Sequence, residues 1–217
     1  MLTVDRQEIY RYLGYGKSMP DPEVRQAVED CLAFLVPEVE TRQVHRAFPV
    51  HTAGENVLEI EGMRIHSRAL AKNLAGCSAV CMMAATIGFA PDRHAARAAA
   101  AGKVSRSLIF LAAGTALIEN WCDEVTEMIR AEFSQKGLYP RPRFSPGYGD
   151  FALDHQREIM QILRVQKTIG VTLTESLLMM PSKSVTALIG LSDQDDECAV
   201  SGCESCGKSE TCRFRRF

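Results

Sequence analysis

An α+β fold, with long helices packed around a twisted and largely antiparallel sheet, is what this sequence predicts, and three observations carry the prediction. Segments of period two (residues 42–66) and a wholly apolar run (residues 77–87) come before the longest helical pattern, residues 92–136. Strand-like segments return only after residue 172. Strands and helices therefore come in blocks, not in the repeating strand–helix units of a parallel sheet. No internal repeat or low-complexity stretch interrupts the order.

The elements follow from local chemistry. Residues 4–14 carry Ile9, Tyr10 and Leu13 at helical spacing, with Gly14 and Gly16 as stop signals. A second helix opens at Asp21-Pro22-Glu23, where proline and an acidic first turn suit a helix N-terminus, and its apolar face runs to Leu35 before Pro37. Residues 42–66 read as two or three antiparallel strands, Leu58 and Ile60 alternating with acidic neighbours and Glu61-Gly62 turning the chain. Ser67 caps a short helix to about Leu74, closed by Gly76. The run from Cys77 to Ile87 predicts a strand buried on both faces, with Thr86 and Gly88 at its exit. The long helical pattern breaks near Gly102-Lys103, and its second part shows a broad apolar stripe that includes Leu117, Trp121 and Val125. Asp154 is expected to cap a helix ending at Gly170, after which residues 173–175, 177–180 and 185–191 resume the sheet.

At 217 residues the chain has room for one sizeable domain, expected at 1–192 with a helical part over about 1–40, and a short tail at 193–217. A net charge of −2 gives no electrostatic reason to expect nucleic acid. No apolar run is long enough to span a bilayer, and the charges in the first residues fit neither a signal peptide nor an anchor, so a cytoplasmic location is expected. Cys31, Cys77, Cys81 and Cys122 sit in apolar stretches and read as reduced core thiols. His45, His51 and His66 lack metal-ligand spacing and read as surface or hydrogen-bonded side chains.

Two stretches carry chemistry. Arg143-Phe-Ser-Pro-Gly-Tyr148 cannot be regular helix or strand interior and reads as a shaped loop, the kind of segment that aims side chains and backbone amides at a ligand. From its residues alone, ligand binding competes with a purely structural use, in which Arg143 pairs with Asp150 and Tyr148 packs on the next helix. Glu119 lies beside the apolar stripe of the long helix, either at its solvated edge or facing a polar ligand. The second stretch is the tail, where Cys198, Cys203, Cys206 and Cys212 are close enough in sequence to surround one metal centre. Their gaps fit neither a zinc ribbon nor a ferredoxin run, so zinc and iron–sulfur both stand, beside a metal-free tail.

RxxxGY (Arg143, Gly147, Tyr148), then a helix, LTES (173–176), MxPxxSV (Met179, Pro181, Ser184, Val185) and Gly190 together resemble the reactivation domain of cobalamin-dependent methionine synthase. The order of three motifs over about fifty residues makes the likeness specific. The resemblance implies a site for S-adenosylmethionine made of Arg143, Ser145, Gly147 and Tyr148, with a glutamate from the long helix for which Glu119 is the matching position. A forked guanidinium suits the ligand's carboxylate, a glycine allows close backbone approach, and a tyrosine offers a ring and a hydroxyl. It further implies reductive remethylation of cob(II)alamin presented by a corrinoid protein, a methionine synthase lacking its own reactivation domain, in the service of methionine biosynthesis. The electron would come from a flavodoxin or ferredoxin, or be relayed by an iron–sulfur cluster on the tail. The cobalt carries out methyl transfer, so no catalytic residue is expected and the chain is an accessory to an enzyme. A non-catalytic sensor or scaffold with a zinc tail is the alternative. A small-molecule methyltransferase is disfavoured, since no glycine-rich loop joins a predicted strand to a helix.

Overall fold

The computed structural model describes residues 4–16 and 18–194. The cysteine tail, with Cys198, Cys203, Cys206 and Cys212, lies outside the described residues.

Four strands form the central sheet in the order β1 (Arg42–Pro49), β5 (Cys77–Thr86), β9 (Ser184–Ser192) and β6 (Tyr139–Pro140), every neighbouring pair antiparallel. β5 and β9 are its middle, paired from Thr86↔Ser184 to Cys77↔Ser192. Alternation assigns the two faces. Cys81, Met83 and Ala85 of β5 join Ala187, Ile189 and Leu191 of β9 in one core, and Val80, Met82, Ala84 and Leu188 enter the other. That double burial is why both strands are nearly continuous apolar runs.

On the first face pack α1 (Arg6–Tyr12), α2 (Pro22–Leu35), α4 (Ala90–Ala100) and the 31-residue α5 (Val104–Ser134). The break between α4 and α5 falls at Gly102, whose positive φ of 72° reverses the chain where the sequence predicted it. Gly114 lets the two helices approach closely, since a Cβ there would stand 2.7 Å from Pro91 Cβ. The second face carries α3 (Arg68–Asn73), α6 (His155–Ile162), α7 (Val165–Ile169) and a separate three-stranded sheet, β2 (His51–Gly54), β3 (Val57–Ile60) and β4 (Met63–His66).

Three expectations need correction. Residues 173–180 do not extend the main sheet: β7 (Thr172–Leu173) and β8 (Met179–Met180) form a two-stranded ribbon of their own, too short to bury a face. The helix expected from Asp154 to Gly170 is interrupted by Arg164 in left-handed conformation (φ 51°), and the Asp154 side chain makes no capping bond. Asp150 does not pair with Arg143. Its carboxylate instead receives Ser67 Oγ (2.6 Å) and the backbone N–H groups of Arg68 (2.8 Å) and Ala69 (3.1 Å), tying the loop to the start of α3. Those three donors hold its carboxyl below the ordinary aspartate range.

Candidate functional site

The loop that opens after β6 is a sheet edge that turns outward. Arg141 N donates to Gly190 O (2.7 Å), and Phe144 exchanges two backbone bonds with Leu188 (2.8 and 2.9 Å). Gly190 leaves little room for a side chain: a Cβ would fall 2.7 Å from Cys77 Sγ and 2.8 Å from Leu74 Cδ2, which would have to shift. Beyond Phe144 the chain closes into consecutive turns, Tyr148 N to Ser145 O (3.2 Å), Phe151 N to Tyr148 O (3.0 Å) and Gly147 N to Phe151 O (2.8 Å). Gly147 has φ 92°, open to glycine and strained for other residues. Phe151, 1% exposed, anchors the loop in the second core, and Phe144 lies 6.5 Å from the Tyr148 ring.

Arg143 points the other way, onto α5. Its guanidinium meets Asp123 at 2.8 Å and Glu119 at 3.6 Å, and donates to Thr126 Oγ1 at 2.9 Å. Glu119, Asp123 and Thr126 are spaced by four and three residues, so α5 presents them as one polar stripe. The arginine side chain is 19% exposed, Glu119 35% and Asp123 56%, which places a nearly covered cation beside two carboxylates that water and ligands can reach. Tyr148, on the turns beyond Phe144, is 64% exposed.

The structure thus brings Arg143 and Glu119 together and seats Ser145, Gly147 and Tyr148 on the adjoining turns. It does not place the LTES segment there. Residues 173–176 pack toward α6, where Arg157 donates to Glu175 O (2.8 Å) and Gln156 to Leu177 O (3.0 Å). Reasoning from sequence missed Asp123 and Thr126, although the spacing from Glu119 was a sufficient signal. It also missed Tyr12 of α1, whose hydroxyl feels the Glu119 charge and whose pKa is raised, first by burial. No local pattern links α1 to α5, so only the tertiary fold reveals that contact. Lys183 is a further addition: its ammonium reaches Thr115 Oγ1 (2.9 Å), one turn before Glu119, and burial lowers its pKa.

The remaining polar and thiol groups have structural explanations. Thr86 accepts from Ser184 Oγ (2.8 Å) and from Gly88 N (3.1 Å), which makes the strand exit a closed turn. His45 bonds to Gln43 and Glu132, while His51 and His66 are exposed. Cys31, Cys77, Cys81 and Cys122 form no disulfide. Burial pushes Cys81 and Cys122 up to about 12, so neither is a ready thiolate. Among the described residues, no helix is long and apolar enough to cross a membrane.

Comparison with known proteins agrees with this architecture. The family model for vitamin B12 dependent methionine synthase, activation domain, matches residues 69–205, more than half of the chain. No curated protein matches. Among solved structures, the crystal structure of the MetH reactivation domain bound to AdoHcy superimposes with a TM-score of 0.66 at 17% identity, over 92% of this chain and 77% of that one. At that identity the likeness establishes the fold.

Proposed function

The chain belongs to the activation-domain family of vitamin B12 dependent methionine synthases, and from that premise we propose that it binds S-adenosylmethionine at the Arg143 edge and supports reactivation of a corrinoid protein. The observation that carries the reading is the Arg143–Glu119–Asp123 cluster. A free amino-acid head group is a zwitterion, and a site for it needs one cation for the carboxylate and one or more carboxylates for the ammonium. In the absence of ligand Arg143 pairs with both carboxylates, at 2.8 and 3.6 Å, and the cluster keeps one excess negative charge. A zwitterion entering between them pairs its carboxylate with Arg143 and its ammonium with the two carboxylates, so no charge of the cluster loses its counter-ion.

The residues then divide the work. Arg143 takes the carboxylate through its fork, held from behind by Thr126. Glu119, with Asp123 beside it, receives the ammonium. Gly147 and the exposed Tyr148 ring flank the nucleoside, and Ser145 lends its hydroxyl at the turn. When bound, S-adenosylmethionine would supply an electrophilic methyl group to the reduced corrinoid of a partner, leaving S-adenosylhomocysteine, with the one electron coming from the partner's reductant. What this chain contributes is position: it fixes the donor at an open edge where a second protein can approach. The partner is a corrinoid protein such as a methionine synthase without this domain, and a flavodoxin or ferredoxin supplies the electron. The tail cysteines, Cys198, Cys203, Cys206 and Cys212, belong to the same reading as ligands of an iron–sulfur relay; zinc in their place favours the scaffold alternative.

Transfer of labelled methyl from S-adenosylmethionine to cobalamin on a corrinoid partner, in the presence of a reductant, tests the function. Binding of the donor without transfer to any corrinoid partner sinks it. Anaerobic purification with metal analysis and paramagnetic resonance decides the tail: colourless protein with stoichiometric zinc excludes the relay.

A further inference from the structure

On the opposite face of the sheet from Arg143, α6, α7 and β7 line an open cleft of about 680 Å³. Its size falls within the range of small-molecule sites. Three cations line it, Arg157, Arg164 and Lys167, together with two glutamine amides and an apolar floor of Met160, Val171 and Leu173, and no carboxylate is part of the lining. Arg157 stands on α6, Arg164 sits between α6 and α7 with a left-handed backbone (φ 51°), and Lys167 follows on α7.

Several surface arginines are neutralised within the fold. Arg6, Arg42, Arg64 and Arg93 each pair with a glutamate. Among the described residues, Arg157, Arg164 and Lys167 make no ion pair, and the neighbouring Glu158 turns to His155 at 2.5 Å. Arg157 is held in place by its bond to the Glu175 carbonyl, 2.8 Å, which leaves its remaining N–H groups for another acceptor. Three like charges around one concavity repel one another, and an anion between them removes that cost.

We propose that this cleft binds a phosphorylated small molecule that carries an apolar ring or chain, its phosphates on Arg157, Arg164 and Lys167 and its apolar part on Met160, Val171 and Leu173. Guanidinium forks suit phosphate oxygens in pairs, and glutamine amides suit the polar rim of a ring. The site is separate from the sulfonium donor's and stands whether or not that reading holds.

Calorimetric titration of the full chain at low ionic strength, with inorganic triphosphate and with ATP as probes, tests it. Both should saturate with one site per chain, ATP more tightly because it also covers the floor. Replacing both Arg164→Ala and Lys167→Ala, exposed positions that the cores do not need, should weaken each probe about 100-fold, about tenfold for each charged contact. Lys167→Ala alone should show the tenfold step. Lys72→Ala, an exposed lysine outside the cleft, should change nothing, and S-adenosylmethionine affinity should be the same in all variants. Absence of saturation at millimolar triphosphate overturns the proposal. So does an equal loss in Lys72→Ala, which would mean diffuse attraction to a basic surface.

Discussion

Truncating Arg143 separates the two roles that its surroundings allow. In Arg143→Ala the carboxylates of Asp123 and Glu119 lose their partner, but they are 56% and 35% exposed, so water takes over much of the solvation. An ion pair at that exposure is worth under about 1 kcal/mol. Unfolding of a chain of this size should therefore shift by less than about 4 °C. Ligand binding should respond differently. A carboxylate that docks on a guanidinium only 19% exposed loses a desolvated, forked contact, for which about 2–5 kcal/mol is the usual range. The open neighbourhood argues for the lower half, about 30- to 300-fold in Kd. Calorimetry with S-adenosylmethionine and thermal unfolding, run on wild type, Arg143→Ala, Arg143→Lys and Glu119→Gln, reads both quantities. Lysine should recover only part of the affinity because it is a point charge without a fork. Glu119→Gln should cost about tenfold, with stability unchanged. An unchanged Kd in Arg143→Ala refutes the reasoning, and so does a lost Kd with a collapse in melting temperature, since the arginine would then be a structural strut.

Further expectations follow from the packing and the charges. Gly190→Ala drives a methyl into Cys77 and Leu74, at 2.7 and 2.8 Å, and should cost about 1–3 kcal/mol, read as a fall of about 2–4 °C for each kcal/mol. Because the same strand edge holds Arg141 and Phe144, donor affinity should fall with it; unchanged melting means the neighbours yield freely. Asp150 has a folded pKa below that of an unfolded aspartate, so the stability it lends is present above the unfolded value and lost as pH falls through the lower folded one. Acid unfolding of Asp150→Ala should thus converge with wild type at low pH and diverge above it, and a constant offset at every pH would count against the linkage. Lys183 has a folded pKa below 10.5, so in the alkaline range under that value the unfolded chain holds more protons and stability gains as pH rises. Relative to Lys183→Met, the wild type should gain melting temperature across that range, and parallel curves would show that its ammonium is not desolvated.

What could be read before folding was whatever a single element encodes. The break at Gly102, the cap at Ser67 and the doubly buried β5 each depend on residues within a few positions of one another. The order of strand and helix blocks then fixed the fold class. Sheet membership was less legible. Thr172–Leu173 and Met179–Met180 have strand composition, but whether they join β9 or pair with each other depends on a turn through Leu177 at φ 64°, a backbone state no apolar pattern announces. Asp150 and Asp154 are alike in sequence, four residues apart, and either can cap a helix. The fold gives the task to Asp150 and directs it to α3, more than eighty residues earlier in the chain.

The candidate site shows the same division with a functional consequence. Arg143 and Glu119 were both identifiable, yet their meeting depends on α5 crossing the sheet beneath the β6 edge, and that crossing also brings Asp123 and Thr126 to the guanidinium. A cation facing two carboxylates at a sheet edge is poorly explained as a stability device, since exposed pairs contribute little. As a binding device it has a clear advantage. Arg143 stays paired without ligand and the two carboxylates remain open to water, so the free protein bears no large desolvation penalty. Only a partner carrying both signs in the right order can take their place without leaving one of them unpaired. Ligands with a carboxylate alone should strand Glu119 and Asp123, and amines alone should strand Arg143. Decarboxylated S-adenosylmethionine should accordingly bind wild type far more weakly than the intact donor, and Arg143→Ala should erase most of that difference. Equal affinity of wild type for the two compounds would show that the head group is not read at this edge.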